Sequence, residues 1–163
     1  MNKLLFFLLI MIQTFTIQAD SLTVLPFTKD TLQEIKQENQ DKAFIVIFWS
    51  ETCGYCLDEL AMFGKLHKRF PEIPLVTVAT DVYLEEDVIK SVLQDSHLDM
   101  QKTWFFADSF PERIYASVDK GWRGELPFTC FFDRNHRKIR QVGIVKEAEL
   151  IEWMAKTQSL DKH

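Results

Sequence analysis

The sequence predicts an α/β domain in which helices flank a mixed central sheet. Three observations predict it. Short apolar runs alternate with helix-compatible segments, one run is apolar without a break, and the last two runs are joined only by a polar turn. The 163 residues suffice for one ordinary domain and leave no room for two full-sized ones. A hydrophobic fraction of 47% furnishes a core and excludes disordered, collagen-like and low-complexity architectures. The net charge of -5 disfavours electrostatically driven binding to nucleic acid or anionic lipid, a local basic patch aside.

The chain opens with Lys3 and nine unbroken apolar residues, Leu4 to Ile12, continued by a mixed stretch to Ile17. Nine is short for a bilayer span, which needs about 20, and suits the core of a signal peptide. Small Ala19 marks a cleavage point, so residues 1–19 are read as a leader and 20–163 as the domain. Removing 19 residues from 163 leaves 144. A retained N-terminal anchor is the alternative. Either way the thiols lie in a compartment that permits disulfides.

Ala43 to Trp49, AFIVIFW, reads as a strand covered on both faces. A helix then runs to about Phe70, with Leu57, Leu60, Ala61 and Gly64 on one packing face. Pro71 and Pro74 punctuate the turn before a second strand, Leu75 to Ala79. Glu85, Glu86 and Asp87 suit the positive start of a helix whose buried stripe is Val88, Ile89, Val92 and Leu93. Thr103 to Ala107 is a third strand. Ser109 and Glu112 have capping-box spacing around Pro111, before a helix packing Ile114, Tyr115 and Val118. Gly121 and Gly124 flank a loop ending at Leu126-Pro127. Thr129 to Phe132 and Lys138 to Val142 pair antiparallel across the DRNHR turn. Gly143 precedes a terminal helix that packs Ala148, Leu150, Ile151 and Met154.

The chemical signal is CGYC, directly after the apolar strand. Two cysteines at this spacing on a helix start can close a small disulfide ring. The helix N-terminus stabilises the first thiolate with unpaired N–H groups and a positive field. Cys53 would attack a partner disulfide, and Cys56, one turn on and more covered, would resolve the mixed disulfide. This exchange needs no metal and no organic cofactor. Two other readings of the pair stay open, half of a zinc site and an inert disulfide. There is no second CxxC, however, and the nearest histidine, His67, reads as a helix-surface residue. Leu57 follows Cys56, so a CxxCH haem attachment is absent.

IFWSETCGYC resembles the active-site stretch of thioredoxin-fold proteins, Leu126-Pro127 their cis-proline loop, and Gly143 with its helix their C-terminal end. The resemblance covers about residues 24 to 157. The leader, Glu59 three residues after Cys56, and the segment between the second and later strands resemble the TlpA/ResA/CcmG group of exported thiol-disulfide oxidoreductases. That likeness implies client protein disulfides or dithiols as partners and a membrane or periplasmic redox donor. Pro127 matches the residue that holds its loop against the cysteines, with Leu126 flanking the entrance. Trp49 matches the aromatic that shields the thiols. Glu59 matches an acid that manages the proton of Cys56; the plain alternative is a solvated helix glutamate.

Several positions depart from the pattern. Ile47 stands at the buried acidic position of thioredoxin, and Ala61 replaces a proline. Thr52 replaces a tryptophan, which removes part of a client platform or else caps the helix. Gly54 and Tyr55 fill the intervening pair, which tunes the redox potential without fixing its direction. Cys130, in TCFF, reads as a buried small hydrophobe. Arg134, His136, Arg137, Lys138 and Arg140 read as a solvated basic hairpin or, alternatively, a partner-contact surface.

The function expected is an exported thiol-disulfide oxidoreductase that reduces client disulfides. An oxidase or isomerase of the same fold and a non-catalytic binding module are the alternatives. The location expected is the periplasm or another extracytoplasmic space, in soluble form after cleavage. N-terminal sequencing of the protein from its producing cell should begin at residue 20. Met1 on soluble protein would overturn the leader assignment.

Overall fold

In the computed structural model, residues 22–98 and 102–160 are described; the leader expectation lies outside them. Six strands form one sheet: β1 (Thr23–Phe27), β2 (Phe44–Trp49), β3 (Leu75–Ala79), β4 (Lys102–Phe106), β5 (Phe128–Phe132) and β6 (Lys138–Val142). Five helices connect them: α1 (Thr31–Glu38), α2 (Gly54–His67), α3 (Glu86–Asp95), α4 (Pro111–Val118) and α5 (Glu147–Leu160). The strand order is β1-β4-β3-β2-β5-β6. The pairs β1–β4, β4–β3 and β3–β2 are parallel, whereas β5 runs antiparallel to β2 and to β6. The mixed sheet is therefore the one expected, and the additional segment places its strand, β4, inside the sheet.

Strand β2 is buried at all six positions, as its unbroken apolar run requires. Its odd positions, Ile45, Ile47 and Trp49, pack with α2, α3 and α5; its even positions, Phe44, Val46 and Phe48, pack toward α1 and α4. The α1/α4 side is largely aromatic. Trp122 lies buried at its centre, stacked on Phe128 at 4.4 Å and donating its indole N–H to the Glu125 carbonyl.

Strand β1 and helix α1 went unforeseen in the sequence. TVLPF carries Pro26, which cannot donate to a ladder and marks a strand as an edge one. Here β1 is indeed an edge, supported by β4 alone. The capping box at Ser109 does not form. Phe110 is the N-cap of α4, and its amide donates instead to Asp108 Oδ1 at 2.8 Å. The packing face of α2 is centred on Cys56, Leu60, Phe63 and Gly64, with Leu57 and Ala61 only partly covered. The α2 helix ends at His67, earlier than expected, and passes into turns that reach Phe70.

Helix α2 crosses the end of α3 at Gly64. A Cβ there would lie 1.9 Å from the Ser96 carbonyl oxygen, a backbone atom that cannot rotate away. Gly64→Ala should therefore destabilise the fold. Overpacking of about 1–3 kcal/mol, at its upper end for so close an approach, outweighs the gain in helix propensity of about 1 kcal/mol. Urea denaturation should show a net loss of about 2 kcal/mol; an unchanged midpoint would show that the two helices separate freely.

Candidate active site

The C-terminal ends of the parallel strands carry the candidate site. After Trp49 the chain leaves β2 through Ser50, Glu51 and Thr52 and enters α2 at Cys53. Cys53 is the N-cap, with extended backbone at φ -95°. Its amide donates to the Ser50 carbonyl at 3.1 Å. The Cys56 amide, which has no partner within the helix, donates to the Cys53 carbonyl at 2.9 Å and to Cys53 Sγ at 3.2 Å. The helix is thus capped by the sulfur itself. Cys53 and Cys56 form a disulfide. Cys53 is half-buried and Cys56 is 1% exposed, the asymmetry that directional exchange requires.

This arrangement corrects the capping reading of Thr52. Its hydroxyl meets Ser50 Oγ at 3.0 Å and caps nothing. Ser50 Oγ donates to Asp81 Oδ1 at 2.8 Å, so its one proton is committed, and the Thr52 hydroxyl and amide both donate to it. Asp81 Oδ2 accepts from the Glu51 amide at 3.0 Å. The neighbouring Thr80 donates both its amide, at 2.8 Å, and its hydroxyl, at 3.1 Å, to the Trp49 carbonyl. Sequence reading missed Ser50, Thr80 and Asp81. The available signal was polar Thr80-Asp81 at the end of a strand adjacent to the one that delivers CGYC.

Around the disulfide, Thr52, Gly54 and Tyr55 are exposed, Tyr55 by 67%. A Cβ at Gly54 would meet nothing within 4 Å, so this side of the site is open. The Leu126-Pro127 bond is cis, and Pro127 is buried at the start of β5. Half-buried Leu126 packs against the same cluster as Cys53, which also holds Trp49 and Cys56. Ile47 is buried in that cluster, so the acid of the resembled family has no counterpart at its position.

The acid of this region is Glu59, on α2. It is 2% exposed, which rules out a solvated glutamate. Its Oε1 accepts from the Val145 amide at 3.0 Å. Its Oε2 is buried with no hydrogen-bond partner, as are Trp49 Nε1 and Thr129 Oγ1, all on the α2/α5 side of the sheet. Burial pushes the Glu59 carboxyl up to about 7, opposed by the hydrogen bond from Val145. His67 is half-buried and held below its ordinary value by desolvation, which corrects its surface assignment. Cys130 is fully buried, and desolvation raises its thiol to about 12. Three cations of the basic hairpin are paired: Lys138 and Arg140 bridge to Asp119 at the end of α4, and Arg137 to Asp133 within the turn. Among the described residues, no group of three His, Cys, Asp or Glu side chains could hold a metal ion.

No family model and no curated protein matches the chain. Solved structures do. A secreted Mycobacterium tuberculosis disulfide oxidoreductase homologous to E. coli DsbE aligns with TM-score 0.60 at 19% identity, covering 74% of this chain and 85% of that one. A thiol:disulfide interchange protein of the thioredoxin family from Chlorobium tepidum aligns with TM-score 0.62 at 16% identity, over 75% and 83% of the two chains. StoA from Bacillus subtilis gives 0.53 and 22%, over 71% and 84%. The fold is thioredoxin-like.

The environment of Glu59 makes stability depend on pH. An unfolded Glu59 ionises near 4.5 and the folded one near 7, so between these values the unfolded chain gives up the proton first. The contribution of this group to stability therefore falls as pH rises from about 4.5 through 7, then levels off. Glu59→Gln keeps an acceptor for Val145 and removes the charge. At pH 8 it should be more stable than the wild type by about 3 kcal/mol, the worth of such a shift, with the gap closing near pH 4. Urea denaturation at the two pH values measures it; a gap independent of pH would show that Glu59 ionises alike in the folded and unfolded chain.

Proposed function

We propose that the protein is an exported thiol-disulfide oxidoreductase that reduces disulfides in client proteins, of the TlpA/ResA/CcmG kind. The observation that carries this reading is the disulfide between a half-exposed N-cap cysteine and a buried cysteine one turn further along α2. In the reduced protein, the Cys53 thiolate attacks one sulfur of a client disulfide, forms a mixed disulfide and expels a client thiolate. Cys56 then loses its proton and attacks Cys53 Sγ. The second client thiolate leaves, and two electrons have passed to the client. Glu59, one helical turn from Cys56 and ionising near neutrality, is suited to receive that proton. A dithiol donor in the membrane or periplasm returns the pair to its reduced form.

Thr52, Gly54, Tyr55 and Leu126 form the client-contact rim, and Pro127 sets the backbone beside it. Trp49 covers Cys56 from the sheet side. Export is supported by the leader pattern and by the secreted character stated for the mycobacterial protein of the same fold.

Reduction of a small disulfide by the dithiol protein should fall to background in Cys53→Ser. Cys56→Ser should attack once and accumulate mixed disulfides. A wild type that reduces no disulfide would leave only a binding role, and full exchange by Cys53→Ser would remove Cys53 from the reaction. Direction follows from equilibrating the Cys53–Cys56 couple in glutathione buffers. A potential of about -270 mV supports the reductase, whereas about -120 mV would assign the protein to disulfide formation.

A further inference from the structure

We infer that Asp81 is a positioning residue for Cys53, acting through Ser50 on the turn that presents the sulfur to the helix N-terminus; this rests on the exchange role proposed for Cys53. Asp81 lies 28 residues beyond Cys53, on the loop after β3. Its two carboxylate oxygens divide between Ser50 Oγ and the Glu51 amide. Because Ser50 spends its one proton on Asp81, its lone pairs face Thr52, and the hydroxyl and amide of Thr52 both donate to them. The Ser50 carbonyl in turn takes the Cys53 amide. Residues 50 to 53 are thereby fixed from outside the helix, in the geometry that lets Cys53 Sγ accept the Cys56 N–H. That hydrogen bond stabilises the thiolate in the reduced protein.

The charge of Asp81 acts in the opposite sense. The charged side chains nearest in sequence on the converging segments are Glu51, Asp58, Glu59, Glu85 and Glu125, with Arg123 offsetting Glu125; the neighbouring phenols are Tyr55, Tyr83 and Tyr115, the last within the field of Asp81. A further carboxylate among them disfavours a thiolate, so deleting its charge alone would make Cys53 more reactive. Positioning predicts the reverse, and the two roles differ in sign.

The test measures iodoacetamide alkylation of reduced Cys53 against pH in a Cys56→Ser background, where the other thiol is buried Cys130. Asp81→Ala should slow alkylation at pH 7 by roughly threefold, the effect of a half-unit rise in thiol pKa. Ser50→Ala, which leaves the Asp81 charge in place, should change it in the same direction. Asp81→Asn, which keeps one acceptor for Ser50, should fall between Asp81→Ala and the parent. Unchanged rates with native melting temperatures would overturn the proposal. So would faster alkylation in Asp81→Ala with no change in Ser50→Ala, which would leave Asp81 a bare charge. Should Asp81→Ala not fold, Ser50→Ala decides alone. Alkylation reports on Cys53 whether or not the wild type reduces client disulfides, so failure of the exchange reading appears separately, as a wild type without exchange.

Discussion

Everything at the candidate site hangs from a strand that has no freedom. β2 is buried along its whole length, paired with β3 on one side and β5 on the other, and covered by helices on both faces. Its C-terminal residue, Trp49, is held by Thr80 through two hydrogen bonds to one carbonyl. A cysteine four residues past such an anchor inherits its placement from the core. The disulfide adds a local ring to a position the sheet has already determined. Stability and chemistry therefore meet in one segment, and changes to the packing of β2 are felt at Cys53.

The two faces of the sheet divide the labour. The α1/α4 face is filled by aromatic side chains in mutual contact, with the indole N–H of Trp122 satisfied by a carbonyl. Among the described residues, the buried side-chain atoms without a protein partner are those of Trp49, Glu59 and Thr129 on the α2/α5 face and Nδ1 of His67 at the end of α2. Each such atom costs about 1–3 kcal/mol of desolvation, so this face is the less optimised for stability. It is also the face on which Cys56 lies.

Much of this was legible in the residues. An uninterrupted apolar run followed by CGYC located the strand, the helix and the pair, because burial on both faces and the helix N-terminus each leave a compositional mark. Leu126-Pro127 and the final hairpin were legible for the same reason. What escaped depends on distant partners. Asp81 sits in an unremarkable acidic stretch until β3 brings it beside Ser50. Glu59 has the surroundings of a surface glutamate in sequence, and only the chain returning at Val145 encloses it. Thr52 had the right chemistry for a cap, but Ser50 competes for its hydroxyl and the cysteine sulfur takes the amide. Ser109 lies one residue ahead of the N-cap, Phe110, whose amide donates to Asp108, and no side chain caps α4.

The position of β4 has a consequence for assembly. In the sheet, β1 is joined to β3 only through β4, and its first residue, Thr23, pairs with Lys102. A chain made or exported N-terminus first presents β1 long before its partner exists. The disulfide strand, α2 and β3 can associate while the first strand still waits. Closure of that edge joins segments 79 residues apart, and the β2–β5 pairing joins Phe44 to Phe132 across 88, so both flanks of the sheet depend on long-range closure. Strand β1 is separated by β4 and β3 from the strand that delivers the cysteine pair, so within the sheet a disturbance of that edge reaches the pair only through two intervening strands.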